Sequence, residues 1–379
     1  MRKYLFIPLS SPGCLFSSIR LAHVLERNGH EVIFATTCEY TIMLETLGLA
    51  CISVRQRGLP FLHASGWYNP ANAETEVQLL GKVVEQVRPD VLVTNPLVMA
   101  SFVLAERTRI PLYNVAYAEA LYPGRRMDDP TKQWRLGSVT GHYNEYRRAL
   151  ALPAVAPDPR TTPLFGDRCF LRSSPELYGD DDLPAQVDFI GDLYWEPAYE
   201  NVRLRRFCHE KREAGLPLIY VQVGRLFEER ALWAELLSCF SRMRAAFVVD
   251  LGRADYHGNA VAQPPNCLFS AFVPLGALRD DVDLVINTAQ STTCISAILH
   301  GKQLLCLPHS TDATELTRRL EGRGVAIGLH GPDRSNFDKL QGAVLRLLDK
   351  PLAENVERYR RTLLAYDDAR VYRIVDARA

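Results

Sequence analysis

The sequence predicts an α/β protein of two doubly wound domains facing each other across a cleft. Three observations predict it. Short apolar strands alternate with helical stretches, as in βαβ units. The strands are continuously apolar, which marks parallel sheets covered on both faces. The alternation also occurs twice, on either side of a segment rich in proline and acid. At 379 residues the chain is long enough for two cores.

In the first stretch the strands are "YLFIPL", "EVIFAT", "ACISV", "VLVTN" and "LYNVAY". Between them lie helical patterns at "SSIRLAHVLERN", starting near Ser17, then "TEVQLLGKVVEQV" and "MASFVLAERT". Gly29 after Asn28 stops the first helix, and "RPD" ends another. Residues 153–163, "PAVAPDPRTTP", and later "DFIGDLYWEPAYE" separate the stretches. The second stretch runs "LIYVQVG" (strand), "EERALWAELLSCFSRM" (helix), then strands "AFVVDLG", "CLFSAFV" and "DLVINT". Helix "TTCISAILHG", strand "QLLCLP", helix "ATELTRRLEGRG" and strand "VAIGL" follow. The charged tail "NVERYRRTLLAYDDARVYRIV" reads as one or two helices. The expected domains are therefore 1–200 and 201–355, with a helical tail at 356–379 that packs back on the first.

Composition excludes several function classes. Lys+Arg and Asp+Glu are both 44, so the formal net charge is zero, which argues against nucleic acid or an anionic membrane as partner. Pro8 interrupts the N-terminal apolar run before it reaches signal-peptide length, and no stretch approaches a membrane span. A cytoplasmic location is expected. The nine cysteines are odd in number and scattered, with no C-x-x-C pair, and read as reduced thiols without disulfide or metal. Ligands of doubly wound sheets bind outside the strand carboxyl ends. Residues 9–18, 95–99, 224–228 and 287–293 should therefore line the cleft.

With those loops located, the chain resembles family 1 glycosyltransferases of the two-domain, Rossmann-like GT-B fold, most closely the bacterial natural-product (antibiotic) branch. "GCLFSSIRLAHVLERNGHEVIFAT" matches the family's G-H-x-x-P…L-A-x-x-L-x-x-x-G-H-E-V-x-F-A-T without a gap. "NEYRRALALP" and "DFIGDL" match its R-x-x-L-G-L-P and F-x-G-P-L segments. "FVPLGALRDDVDLVINTAQSTTCISAILHGKQLLCLPHSTDATELTRRLEGRGVAI" follows its donor motif. The resemblance implies an N-terminal acceptor-binding domain and a C-terminal nucleotide-sugar-binding domain. It also implies a small-molecule acceptor and a nucleotide-diphosphate sugar as substrates, and no cofactor. A homodimer or a partner transferase is compatible with it.

The family's His–Asp pair, a general base and its orienting acid, falls here on Cys14 and Asn95. In the donor motif, the stretch H-H-G-G-x-G-T-T-L-E reads Asn287, Thr288, Ala289, Gln290, Ser291, Thr292, Thr293, Cys294, Ile295 and Ser296. The pyrophosphate-holding histidine is thus Thr288, and the ribose-binding glutamate is Ser296. Of the acid–amide pair at the sugar, Asp312 persists and Ala313 follows. Phe272 occupies the base-stacking position, Ser291–Thr293 start a helix suited to anions, and Gly224 ends the strand facing the phosphates. Arg225 stands where the family has a small hydroxyl residue and offers a phosphate clamp.

Each candidate has a plainer alternative. Cys14 is a thiolate activated by a helix N-terminus, or a small residue filling the imidazole's space. Asn95 is a remnant of the pair, or a strand-end cap. Arg225 grips phosphate, or pairs with Glu228 or Glu229. Phe272 is a platform or core. His300 is structural, and His309 flanks the same strand. His63 and His142, placed in loops of the acceptor region, are candidates for a relocated base, with Trp67, Tyr68, Tyr117, Tyr122 and Trp134 as apolar acceptor contacts. Three functions stay open: a transferase with a rebuilt site, a different enzyme on the same scaffold, and a non-catalytic auxiliary homologue.

Overall fold

The computed structural model describes residues 1–54, 69–117, 130–158, 160–178, 183–222, 224, 230–252 and 263–376. The chain divides into two compact units, Met1–Trp195 with Tyr366–Ala379, and Glu196–Ala365.

The first unit holds seven strands: β1 (Lys3–Ile7), β2 (Glu31–Thr36), β3 (Ala50–Ser53), β4 (Val91–Thr94), β5 (Leu112–Tyr117), β6 (Arg168–Arg172) and β7 (Val187–Gly191). They pair in parallel in the order β3-β2-β1-β4-β5-β6-β7. The second unit holds β8 (Leu218–Gln222), β9 (Ala246–Asp250), β10 (Cys267–Ser270), β11 (Leu284–Asn287), β12 (Leu304–Cys306) and β13 (Ala326–Gly328), parallel in the order β10-β9-β8-β11-β12-β13. Each sheet reverses its direction of winding once, between β1 and β4 and between β8 and β11. At such a switch point the loops beyond adjacent strands diverge and leave a crevice.

The longer helices are α1 (Pro12–Arg27), α2 (Cys38–Thr46), α3 (Ala73–Val87), α4 (Met99–Thr108), α5 (Pro130–Ala149), α6 (Val202–Glu213), α7 (Arg230–Arg242), α8 (Ser291–Leu299), α9 (Thr311–Gly322), α10 (Phe337–Asp349), α11 (Ala353–Leu364) and α12 (Asp368–Asp376). Helix α1 starts at Pro12, five residues before the expected Ser17. Proline is favoured in a first turn because it has no N–H to leave unpaired.

Two strands escape the sequence reading, β6 and β7. Arginines bracket β6, and both are buried. The Arg168 guanidinium donates to the Ile374 and Val375 carbonyls at 2.8 and 3.2 Å and to Asp188 at 2.8 Å. Arg172 donates to the Gly13 and Asp192 carbonyls at 2.8 and 3.1 Å. With guanidinium nitrogens bonded in this way, charged residues can end an interior strand.

Helix α12 belongs to the first unit. Asp368 pairs with Arg20 and Arg27 of α1, and the Tyr372 hydroxyl lies 3.2 Å from His30 Nε2. Gly191, at φ +72°, makes room for the Tyr366 ring, since a Cβ there would fall 2.5 Å from it. Helix α11 stays with the second unit, so the returning segment starts at 366 rather than 356. Among the described residues, no helix is long and apolar enough to cross a membrane.

Candidate functional site

At the first switch point the Asn95 amide is satisfied by backbone groups. Asn95, just past β4, is buried. Its Oδ1 accepts the Leu9 N–H at 3.2 Å and its Nδ2 donates to the Val115 carbonyl at 3.0 Å. The amide thus ties the loop after β1 to strand β5, using both its donor and its acceptor. Cys14 is the third residue of α1 and is also buried. Burial raises its thiol pKa, against smaller opposing effects of the Ser11 hydroxyl and the Arg172 charge. Desolvation thus opposes the thiolate that a helix N-terminus favours.

Arg172 brings a buried cation to the same place, bonded to Gly13 and with its guanidinium carbon 4.6 Å from the centre of the Tyr117 ring. Tyr117 is therefore committed on one face. His142 is half-buried within α5, not in a loop as expected. Trp134 lies on the same helix and is 62% exposed. His63, Trp67, Tyr68, Tyr122, Arg225, Glu228 and Glu229 lie outside the described residues.

At the second switch point two adjacent polar side chains, on Asn287 and Thr288, keep buried atoms without a partner among the described residues. Asn287 ends β11, and its Oδ1 accepts from Ala289 N–H at 2.6 Å and from the Cys294 thiol at 3.4 Å. That turn holds Ala289 at φ +57°, a left-handed conformation costly for a residue with a Cβ. Asn287 Nδ2 and Thr288 Oγ1 are buried with no hydrogen-bond partner among the described residues. A Cβ built on Gly224 would lie 3.2 Å from Thr288 Oγ1, so this hydroxyl faces the end of β8.

Helix α8 begins here with Gln290 as N-cap, and no side chain caps it. The Gln290 amide lies against Gly224, and its Oε1 accepts from Gln222 Nε2 at 3.0 Å. Gln222 Oε1 in turn accepts from Thr293 Oγ1 at 3.0 Å. Gln290 thereby fills space between Gly224 and the helix start that two facing glycines would leave open. Ser291 and Thr292 are partly exposed on the first turn, and Asp312 is exposed on the first turn of α9.

Phe272 is half-buried, its ring edge-on to Tyr199 with centroids 6.2 Å apart. Ser296 is buried and donates to Glu196 at 2.8 Å. His300, on the same helix end, has its pKa lowered, chiefly by burial. Gly224, Thr288, Ser291, Thr292 and Thr293 are therefore brought together, with Phe272 and Ser296 on adjoining elements of the same unit. Sequence reasoning missed Arg172, Gln222 and Glu196. For Arg172 a signal existed, a charged residue closing an apolar run. Among the described residues, no group of three or more His, Cys, Asp or Glu could hold a metal.

No family model matches the chain. A solved glycosyltransferase, that of kitacinnamycin, superposes over 99% of this chain and 98% of its own with a TM-score of 0.76 at 17% identity. The fold is GT-B. Among characterised sequences, the GT-B chain is 26% identical over 242 residues to the aclacinomycin-T 2-deoxy-L-fucose transferase of Streptomyces galilaeus, covering 62% of this chain and 50% of that protein. It is 24% identical over 314 residues to the demethyllactenocin mycarosyltransferase of Streptomyces fradiae, covering 79% and 65%. The GT-B chain thus spans between half and two thirds of these relatives' length.

Proposed function

We propose that the protein is a glycosyltransferase of natural-product biosynthesis, moving a sugar from a nucleoside diphosphate sugar to a small-molecule acceptor. The second unit takes the donor and the first the acceptor. One observation carries the donor assignment. At the β8/β11 switch point, a helix N-terminus with no side-chain cap adjoins a buried hydroxyl and a buried amide that lack protein partners among the described residues. Unmet polar groups beside oriented N–H groups suit an anionic diphosphate. The similarity to sugar transferases of antibiotics supports the reaction class. A reducing, cytoplasmic setting fits nine scattered cysteines with no C-x-x-C pair.

The reaction on this reading leans on the leaving group. Burial keeps the Cys14 thiol protonated at neutral pH, and Asn95 does not titrate, so neither accepts the acceptor's proton. The α8 N-terminus, Thr288 and Asn287 instead stabilise negative charge gathering on the diphosphate as the glycosidic bond breaks. This suits an acceptor hydroxyl acidic enough to release its proton to solvent or to the departing diphosphate as the new bond forms. No metal or cofactor enters the scheme. The same Cys14 and Asn95 environment favours a second reading, a homologue that binds nucleotide without transferring sugar. Product formation followed by mass spectrometry separates the two.

The donor site has its own test, Thr288→Val. Removing an unpaired buried hydroxyl while keeping shape should stabilise the free protein by about 1 kcal/mol. The same change should weaken nucleotide binding, read as a smaller thermal shift with UDP or dTDP. Wild type that no nucleotide stabilises would sink the proposal, as would a variant that keeps full affinity.

A further inference from the structure

Glu196, the first residue of the second unit, is drawn onto helix α8. Its Oε1 accepts the Ser296 hydroxyl at 2.8 Å, and its Oε2 accepts the Gly276 N–H at 2.8 Å. Ser296 lies five residues into α8, about 7.5 Å along its axis from Ser291. Gly276 sits in the 3₁₀ turn Leu275–Leu278, four residues beyond Phe272. Its missing side chain matters, because a Cβ there would fall 2.9 Å from Glu196 Oε2 and 3.2 Å from His300 Nε2. Three residues after Glu196, Tyr199 meets Phe272 edge to face. The segment 196–199 therefore delivers a carboxylate to α8 and an aromatic edge to Phe272.

A carboxylate has about four lone-pair positions, and the two protein donors engage one on each oxygen. Both oxygens keep acceptor capacity, and the residue is not fully buried. Fixed by two donors, the carboxylate needs no further ordering to accept hydrogen bonds from a vicinal pair of hydroxyls. On the proposed reading, the diphosphate sits at the α8 N-terminus and the base near Phe272. The chemical group between a base and a diphosphate is a pentose bearing hydroxyls.

We infer that Glu196 is the hydroxyl-recognising residue of the nucleotide site, its carboxylate accepting hydrogen bonds from the pentose of a nucleoside diphosphate. The inference rests on the proposed function of the second unit. The competing role is a purely structural clasp between residue 196 and helix α8.

Calorimetric titration of the full chain with UDP, 2′,3′-dideoxyuridine diphosphate and inorganic pyrophosphate separates these roles. A hydrogen bond to a charged group is worth roughly tenfold to a hundredfold in affinity. Wild type should bind UDP at least about tenfold more tightly than the dideoxy compound. Glu196→Ala should abolish that preference while leaving dideoxy and pyrophosphate affinities within about twofold. Glu196→Gln, which keeps the bulk, should lose most of the preference. The exchange Glu196→Ser with Ser296→Glu, which returns a carboxylate to nearly the same place, should restore it. Equal losses for all three probes in Glu196→Ala mean a structural clasp and overturn the inference, as does an unchanged UDP preference. Wild type that binds neither nucleotide overturns the proposed function itself, and the Glu196 role with it.

Discussion

The Asn95 clasp yields a demanding prediction, because the substitution that would restore the family's acid here should harm the protein. Asn95→Asp keeps an acceptor for the Leu9 N–H. It replaces the Nδ2 donor with an oxygen about where the amide nitrogen lies 3.0 Å from the Val115 carbonyl. One hydrogen bond is lost, and two acceptors face each other in a buried site. A net hydrogen bond is worth about 1 kcal/mol, and a stranded buried acceptor costs a further 1–3 kcal/mol. At pH 7 the variant should therefore be about 2–4 kcal/mol less stable than wild type, a fall of roughly 5–15 °C in melting temperature for a unit of this size.

The loss should depend on pH with a definite sign. Once protonated, the introduced carboxyl can donate to Val115, so folding raises its pKa above the unfolded value of about 3.9. The folded variant then binds the proton more tightly, and its stability relative to wild type falls as pH rises through the raised folded pKa. Melting wild type and Asn95→Asp between pH 4 and 8 measures this. The gap should narrow toward pH 4. A variant as stable as wild type at pH 7, or a gap that does not change with pH, would refute the clasp.

Three further outcomes follow from the same structure. Native protein treated with iodoacetamide at pH 8 should be alkylated at half-buried Cys51 before buried Cys14, as read by peptide mass spectrometry, and Cys14→Ser should keep its activity; rapid labelling of Cys14 would contradict its raised pKa. Burial raises the Glu76 carboxyl to about 7 beside the Tyr146 hydroxyl, so its stability contribution is present below pH 4.5 and lost as pH rises through 7. Glu76→Gln should flatten that decline, gaining about 1–2 kcal/mol at pH 8 after discounting for partial solvent screening; unchanged pH dependence in urea melts counts against it. Gly224→Ala should lose about 2 kcal/mol through positive-φ strain and collision with Gln290, and adding Gln290→Gly should recover only the collision; full recovery in the double variant would mean that backbone strain is absent.

How much was legible depends on the distance over which the information acts. Apolar runs and helix stops are local, so most strands and their alternation with helices could be read from the sequence. Strand β6 was missed because Arg168 and Arg172 make it look like surface. The carbonyls that satisfy Arg168 lie 206 and 207 residues away in helix α12, and no window of sequence contains them. Helix α2 lacks a cap or a strong periodic face and was passed over, as was α10. At the sites, the positions of Cys14, Asn95 and Thr288 follow from the resemblance, but their states do not. Whether Cys14 ionises depends on burial, and Asn95's role depends on Leu9 and Val115. Glu196 carries no motif, since its partner Ser296 is 100 residues away.

The two switch points permit a comparison within one chain. Each has an asparagine at the carboxyl end of the strand next to the sheet's first strand, Asn95 after β4 and Asn287 at the end of β11. Each side-chain oxygen holds a loop N–H, of Leu9 or Ala289. They differ at the nitrogen: Asn95 Nδ2 is bonded to Val115, whereas Asn287 Nδ2 and the neighbouring Thr288 hydroxyl have no partner among the described residues. A buried polar group left unmatched costs about 1–3 kcal/mol, a cost that a bound polar ligand would relieve. At the first site the asparagine amide is therefore used at both its oxygen and its nitrogen by the backbone. The second reads as waiting for a polar ligand. On the proposed function, such a chain should keep its affinity for nucleotide better than its ability to activate an acceptor. Its rate should then respond more to the leaving group of the donor than to the pKa of the acceptor.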